Sequence, residues 1–147
     1  MSENPSSTDE TGHNAEIRTA LNEWQRIFLQ HDWEKLPVLL ADGVTYSNPG
    51  DAMPLQGKDA LVGSLQMSFS IFEDFEYARQ FSGEDGHVLE FRGRVGDVAF
   101  TGIDIINFDA AGKIIDLVVM IRPIAAIMKL GTEAARRKAI TDHGTHD

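Results

Sequence analysis

The strongest constraint in this sequence lies in its second half, where four strand-like segments follow one another with almost nothing between them. Phe75, Tyr77, Arg79 and Phe81 alternate as one face of a strand does, and Ser82-Gly83-Glu84-Asp85-Gly86 turns the chain. A second segment runs from His87 to Val95 and breaks at Gly96-Asp97. A third runs from Val98 to Phe108 and meets Asp109-Ala110-Ala111-Gly112, and a fourth runs from Lys113 to Arg122. Turns this short join antiparallel neighbours, because parallel neighbours need a long crossover. Long strands twist, so the expected product is a curved, cone-shaped antiparallel sheet with helices on its concave side and a ligand site at its open mouth.

The first half carries the helices. Ile17, Leu21, Trp24 and Phe28 recur at the spacing of one helix face. His31-Asp32 interrupts that stripe, and Asp32 is placed to cap a short second helix through Leu36, Leu39 and Leu40, whose start Pro37 delays or kinks. Val44 to Asn48 alternates as a strand and stops at Pro49-Gly50. A third helix after Gly57 presents Leu61, Leu65, Phe69 and Phe72, and Pro123 suits the first position of a short C-terminal helix with Ile124, Ile127 and Met128. The reading is one α+β domain over residues 15–138, with three N-terminal helices, a disordered polar tail at 1–14 and a flexible tail at 139–147.

Composition narrows the function classes. At 147 residues and 42% hydrophobic, the chain can bury a core, and no apolar run reaches the length of a membrane span. A net charge of −10 opposes binding to nucleic-acid phosphates and anionic lipid. The one basic cluster, Arg136-Arg137-Lys138, suits the negative end of a helix. The absence of cysteine excludes disulfides and thiolate chemistry. The N-terminus has no apolar stretch of the secretory kind, so a cytoplasmic protein is expected. His143 and His146 offer two imidazoles without a positioned carboxylate; neither a metal nor a cofactor is expected.

Three strings resemble the nuclear transport factor 2-like superfamily, particularly its branch of SnoaL-like polyketide cyclases and ketosteroid isomerases. They are His31-Asp32-Trp33-Glu34, the segment from Val44 to Pro49 with Gly57-Lys58-Asp59-Ala60 after it, and the segment from Gly102 to Ile114. The resemblance implies a pocket and, in the isomerases, a carboxylate base, a tyrosine and a protonated aspartic acid. By that resemblance Asp104 stands at the aspartic acid position, Trp24 at the tyrosine and Asn48 at the base. An amide cannot shuttle a proton near neutral pH, so the isomerase set is incomplete. Limonene epoxide hydrolases place a Tyr and an Asn as Tyr46 and Asn48 are placed here. Their Asp-Arg-Asp set reads as Arg94, Arg92 and Val119, which leaves that set incomplete too.

The residues themselves single out Asp104, a carboxylate between Ile103 and Ile105 on the face of Phe100, Gly102, Ile106 and Phe108. Inside a pocket, desolvation would keep it protonated and make it an acid; on an outward face it would pair with an arginine. Trp24 packs in the core or meets a ligand, and Tyr46 and Asn48 either contact a ligand or simply precede a turn. Glu90, Arg92 and Arg94 fit a solvated cross-strand ladder.

The expected function is a SnoaL-like protein that binds a small apolar carbonyl compound of polyketide, steroid or terpenoid type. Asp104 would be the catalytic acid for proton transfer or cyclisation, with Trp24, Tyr46 and Asn48 binding the ligand. The alternative is a non-catalytic dimerisation or protein-interaction module. A homodimer through the sheet is expected on either reading, with Ile114, Val118 and Met120 as the partner surface. A cavity of roughly several hundred Å³ around Asp104 would suit a ligand, and a filled core the interaction role.

Overall fold

The computed structural model describes residues 5–144. Helix α1 (Pro5–Gln30) is followed by a 3₁₀ turn (Trp33–Lys35), α2 (Leu36–Leu39), β1 (Leu40–Ser47), β2 (Leu55–Gln56) and α3 (Lys58–Ile71). Strands β3 (Glu73–Gly83), β4 (Gly86–Val95), β5 (Val98–Phe108) and β6 (Ile114–Arg122) come next, and α4 (Ile124–Gly144) closes the order. The outer ends of the two expected tails lie outside the described residues, as do His146 and the surroundings of His143. Helix α1 extends ahead of its apolar stripe to Pro5; its first buried residue is Ile17. A helix closes its own backbone hydrogen bonds, so it continues where no apolar side chain marks it.

The cone-shaped antiparallel sheet expected from the short turns is corrected by the strand order β2-β1-β6-β5-β4-β3. The sheet is open and mixed: β2 and β3 are separate edges, and β1 runs parallel to β6. The meander β3 to β6 is antiparallel throughout, as its short turns require. Those turns constrain only chain neighbours. The β1–β6 pairing brings Tyr46 beside Leu117 and depends on a crossover through α3 and the whole meander. A second correction concerns the C-terminal helix, which is not short but spans 21 residues. Asp32 does stand before the 3₁₀ turn, but its carboxylate takes Arg26 at 3.0 Å and makes no capping bond.

The core lies between one face of the sheet and helices α1 and α3. Leu21, Trp24, Ile27 and Phe28 of α1 and Leu61, Leu65 and Phe69 of α3 meet Leu89, Phe91, Phe100, Ile106, Leu117 and Val119 of the sheet. Alternation along β5 puts Phe100, Gly102, Asp104 and Ile106 on this inner face. Gly102 is required there: a Cβ would stand 2.5 Å from the Phe91 ring and 2.5 Å from the Met120 carbonyl oxygen.

The outer face carries Ile103, Ile105, Val118 and Met120, with Ile103 opposite Met120 and Ile105 opposite Val118. Ile114 does not join them. A register shift at Asn107/Phe108 precedes it, and it is fully buried. At the β3–β4 end of the sheet, Arg79 pairs with Glu90 at 2.7 Å, Arg92 with Glu76 at 2.6 Å, and Arg94 with Glu73 and Asp74. These exposed pairs form a solvated ladder, and each contributes roughly 0–1 kcal/mol.

Candidate functional site

Asp104 is the single charged-type side chain in the buried set among the described residues, 6% exposed. It is reached from four elements. β5 supplies the carboxyl, and α1 brings Trp24, 1% exposed, whose indole N–H donates to Asp104 Oδ2 at 3.4 Å. β1 brings the buried Tyr46, and β3 brings Tyr77, whose hydroxyl is buried and has no hydrogen-bond partner. The reason for this convergence is local. Strand alternation turns Tyr46, Tyr77 and Asp104 inward, and the helical period of α1 sets Trp24 on the stripe that must be buried anyway.

The electrostatics follow from burial without a cationic partner. Loss of water pushes the Asp104 carboxyl up to about 7, and the Trp24 N–H offsets this only in part. A rise from 3.8 to about 7 disfavours the charged form by about 4 kcal/mol. Burial likewise raises the Tyr77 hydroxyl well above its ordinary range, and the nearby Asp104 adds to the rise. The Trp24 N–H lies close enough to oppose it, but its hydrogen bond goes to Asp104, so the Tyr77 hydroxyl stays unpaired. An unpaired buried hydroxyl costs about 1–3 kcal/mol. Tyr46 is raised by burial too, opposed by the Ser64 hydroxyl beside it.

Asp104 opens on a cavity of about 20 Å³ walled by Tyr46, Leu65, Phe69, Phe72, Phe91, Val119 and Leu130. That is room for about one water molecule, far below the size expected of a preformed ligand pocket. Two surface grooves adjoin it. One, of about 190 Å³, runs past His31, Asp74 and Phe75, and another, of about 400 Å³, runs past Glu73, Lys129 and Arg137. Phe72 lines the cavity and both grooves. Its ring stands 5.2 Å from that of Phe69 and 4.7 Å from that of Phe100, and lies parallel to Phe75 at 5.9 Å.

Of the residues singled out from the sequence, the structure brings together Asp104, Trp24 and Tyr46. Asn48 is elsewhere: its Oδ1 accepts from the Gly50 and Asp51 backbone N–H groups and its amide donates to Asp51, so it builds the turn after β1. Arg92 and Arg94 stay in the exposed ladder. Tyr77 and Phe72 are the site residues that pattern reading passes over. Tyr77 alternates like any strand residue, and Phe72 continues the α3 stripe although it caps that helix. No cluster of three metal-ligating side chains occurs among the described residues. No helix in them is long and apolar enough to cross a membrane.

Comparison with known proteins places this arrangement in context. The SnoaL-like domain family matches residues 21–117. A steroid delta-isomerase from Pseudomonas aeruginosa is 36% identical; the alignment covers 86% of this chain and 94% of that one, with a TM-score of 0.81. A protein with a cystatin-like fold from Silicibacter pomeroyi is 26% identical over 84% of this chain and 87% of its own, with a TM-score of 0.76. A SnoaL-like protein of unknown function from Burkholderia thailandensis shares the fold at 18% identity and a TM-score of 0.62, over 74% of this chain and 97% of its own. No curated protein matches the sequence.

Proposed function

The chain belongs to the SnoaL-like domain family, and from that premise we propose that it binds a small, largely apolar carbonyl compound at Asp104, which donates a hydrogen bond or a proton to the carbonyl oxygen. The observation that carries this reading is a carboxyl buried among apolar and aromatic side chains with a single neutral hydrogen-bond donor and no cation. A core without a task would replace such a group by a hydrocarbon. Perturbed carboxyls and orphaned polar groups gather instead at functional sites. The 36% identity to a steroid delta-isomerase supports a ligand of similar character, an alicyclic or aromatic ketone.

The small cavity fits this reading as a closed state. Phe72 separates Asp104 from the two grooves, and a turn of its ring joins them into one channel. Trp24 fixes the carboxyl, and Tyr46 forms part of the wall against which a ligand rests. A step that also needs a carboxylate base is disfavoured, because Asn48 is held in its turn and is an amide.

The test is fluorescence titration with a panel of keto-steroids and aromatic polyketide ketones. Saturable binding is expected, weakening as Asp104 ionises above about pH 7. Asp104→Asn keeps a neutral donor, so it retains part of the affinity and loses the pH dependence, while Asp104→Leu loses about tenfold or more. No saturable binding by any ketone of the panel rules the reading out.

A second reading concerns assembly: we infer that the outer sheet face pairs with a copy of the same chain. Ile103, Ile105, Val118 and Met120 lie side by side there, and Met120 is 52% exposed. A groove of about 340 Å³ runs past Thr101, Ile103 and Met120 between Glu90 and Arg122. This reading is compatible with ligand binding on the inner face.

A further inference from the structure

The Tyr77 hydroxyl takes no part in binding a ligand at Asp104, yet it is the one buried side-chain oxygen or nitrogen without a partner among the described residues. Tyr77 sits on β3 opposite Phe91, and Phe91 lies opposite Gly102 on β5, two residues before Asp104 on the same face. Gly102 has no side chain, so nothing on that position of β5 stands between the tyrosine and the carboxyl. The Phe75 ring meets the Tyr77 ring edge-on at 5.1 Å and steadies it from its own strand. Tyr77 does not line the cavity, so it approaches Asp104 from the side away from a ligand.

A buried donor that stays unpaired needs an explanation in a second state of its neighbour. We propose that Tyr77 is a positioning residue for the ionised form of Asp104: its hydroxyl is idle while the carboxyl holds its proton and donates to the carboxylate once that proton has passed to the ligand. The proton moves from Asp104 to the carbonyl oxygen, and Tyr77 keeps its own. The charge left on Asp104 is then met by two donors, the Trp24 N–H at Oδ2 and the Tyr77 O–H. This lowers the free energy of the charged state and leaves the neutral one untouched. The titratable groups facing Asp104 are Tyr46 from β1 and Tyr77 from β3; α1 contributes the neutral Trp24, and α3 and α4 contribute Phe69, Phe72 and Leu130. Among the described residues, no other group facing it is placed to take up the charge.

The role rests on Asp104 acting as a proton donor, but the contact itself is testable without any ligand. The Asp104 carboxyl is titrated by ¹³C NMR in the wild type and in Tyr77→Phe. The midpoint is expected to rise by about one pH unit in the variant. The melting temperature of Tyr77→Phe is expected to equal or exceed that of the wild type near about pH 5 and to fall below it near about pH 9. A merely structural hydroxyl gives the same difference at both. An unchanged midpoint overturns the proposal.

Should Tyr77→Phe fail to fold, the wild-type chain carrying 3-fluorotyrosine serves. It has two tyrosines, so Tyr46→Phe assigns the signals. The Tyr77 ¹⁹F resonance is expected to move over the pH range in which Asp104 titrates, and to stop moving in Asp104→Asn. A resonance indifferent to pH overturns the proposal by the same measure. Ketone binding by these variants is scored separately. Its absence removes the proposed function, while a shifted Asp104 midpoint still upholds the Tyr77 contact.

Discussion

The Trp24 indole N–H and Asp104 Oδ2 are joined by a hydrogen bond of 3.4 Å between residues 80 positions apart in the chain. The length is informative. An N–H donor to an ionised carboxylate closes to about 2.7–2.9 Å, whereas a neutral acceptor tolerates a longer contact. The geometry therefore matches a protonated Asp104, as does its burial without a cation. It also ties α1 to β5 across the middle of the core, so the helix that closes the fold is the helix that orients the acid.

The first prediction concerns stability against pH. The folded-state value of Asp104 is raised above its unfolded one, so the native state binds the extra proton between about pH 4 and about pH 7. The stability tied to that proton is fully present below about pH 4 and is lost as pH rises through about 7. Asp104→Asn removes the dependence. In denaturant titrations it is expected to be close to wild type at about pH 5 and more stable by about 2–4 kcal/mol near about pH 9.

Gly102→Ala is expected to cost about 3 kcal/mol or more. Its Cβ meets the Phe91 ring and a backbone oxygen at once, and the backbone cannot yield as a flexible side chain does. Urea unfolding midpoints of the variant check this; a loss below about 1 kcal/mol would show that Phe91 has room to move.

Phe72→Ala is expected to open the path to Asp104. Ketone association should speed up about tenfold, measured by stopped-flow fluorescence, at a stability loss of about 2 kcal/mol. Water admitted to the cavity should also bring the Asp104 midpoint down. An unchanged association rate would mean that entry lies elsewhere.

Much of the site is written into the chain locally. Asp104 is legible because it interrupts an apolar strand at an inward position, and Trp24 because it falls on the α1 stripe. The four-strand meander follows from its turns. The β1–β6 pairing is not legible, since nothing local records which strand edge a distant segment will take, and β2 is too short to show alternation. The length of α4 escapes pattern reading because much of its surface is exposed and polar. Asn48 shows the reverse limit: one residue type serves a turn or a ligand equally well, and only the hydrogen bonds to Gly50 and Asp51 decide. The orphaned Tyr77 hydroxyl is a property of three elements meeting and has no sequence signal at all.

Assembly gives a further prediction. If the outer face pairs two copies, light scattering should report a dimer for the wild type and a monomer for Met120→Lys, which places a charge among Ile103, Ile105 and Val118. Ketone binding should survive in the monomer, because the Asp104 cavity is on the opposite face. A monomeric wild type at high concentration contradicts the pairing.

The most direct measurement is the ¹³C titration of the Asp104 carboxyl in the free wild-type protein, assigned by comparison with Asp104→Asn. The buried, uncompensated acid described here predicts a midpoint close to about 7. A midpoint near about 4, the value of a carboxyl in water, would mean that Asp104 is charged at rest and has no proton to offer a ligand.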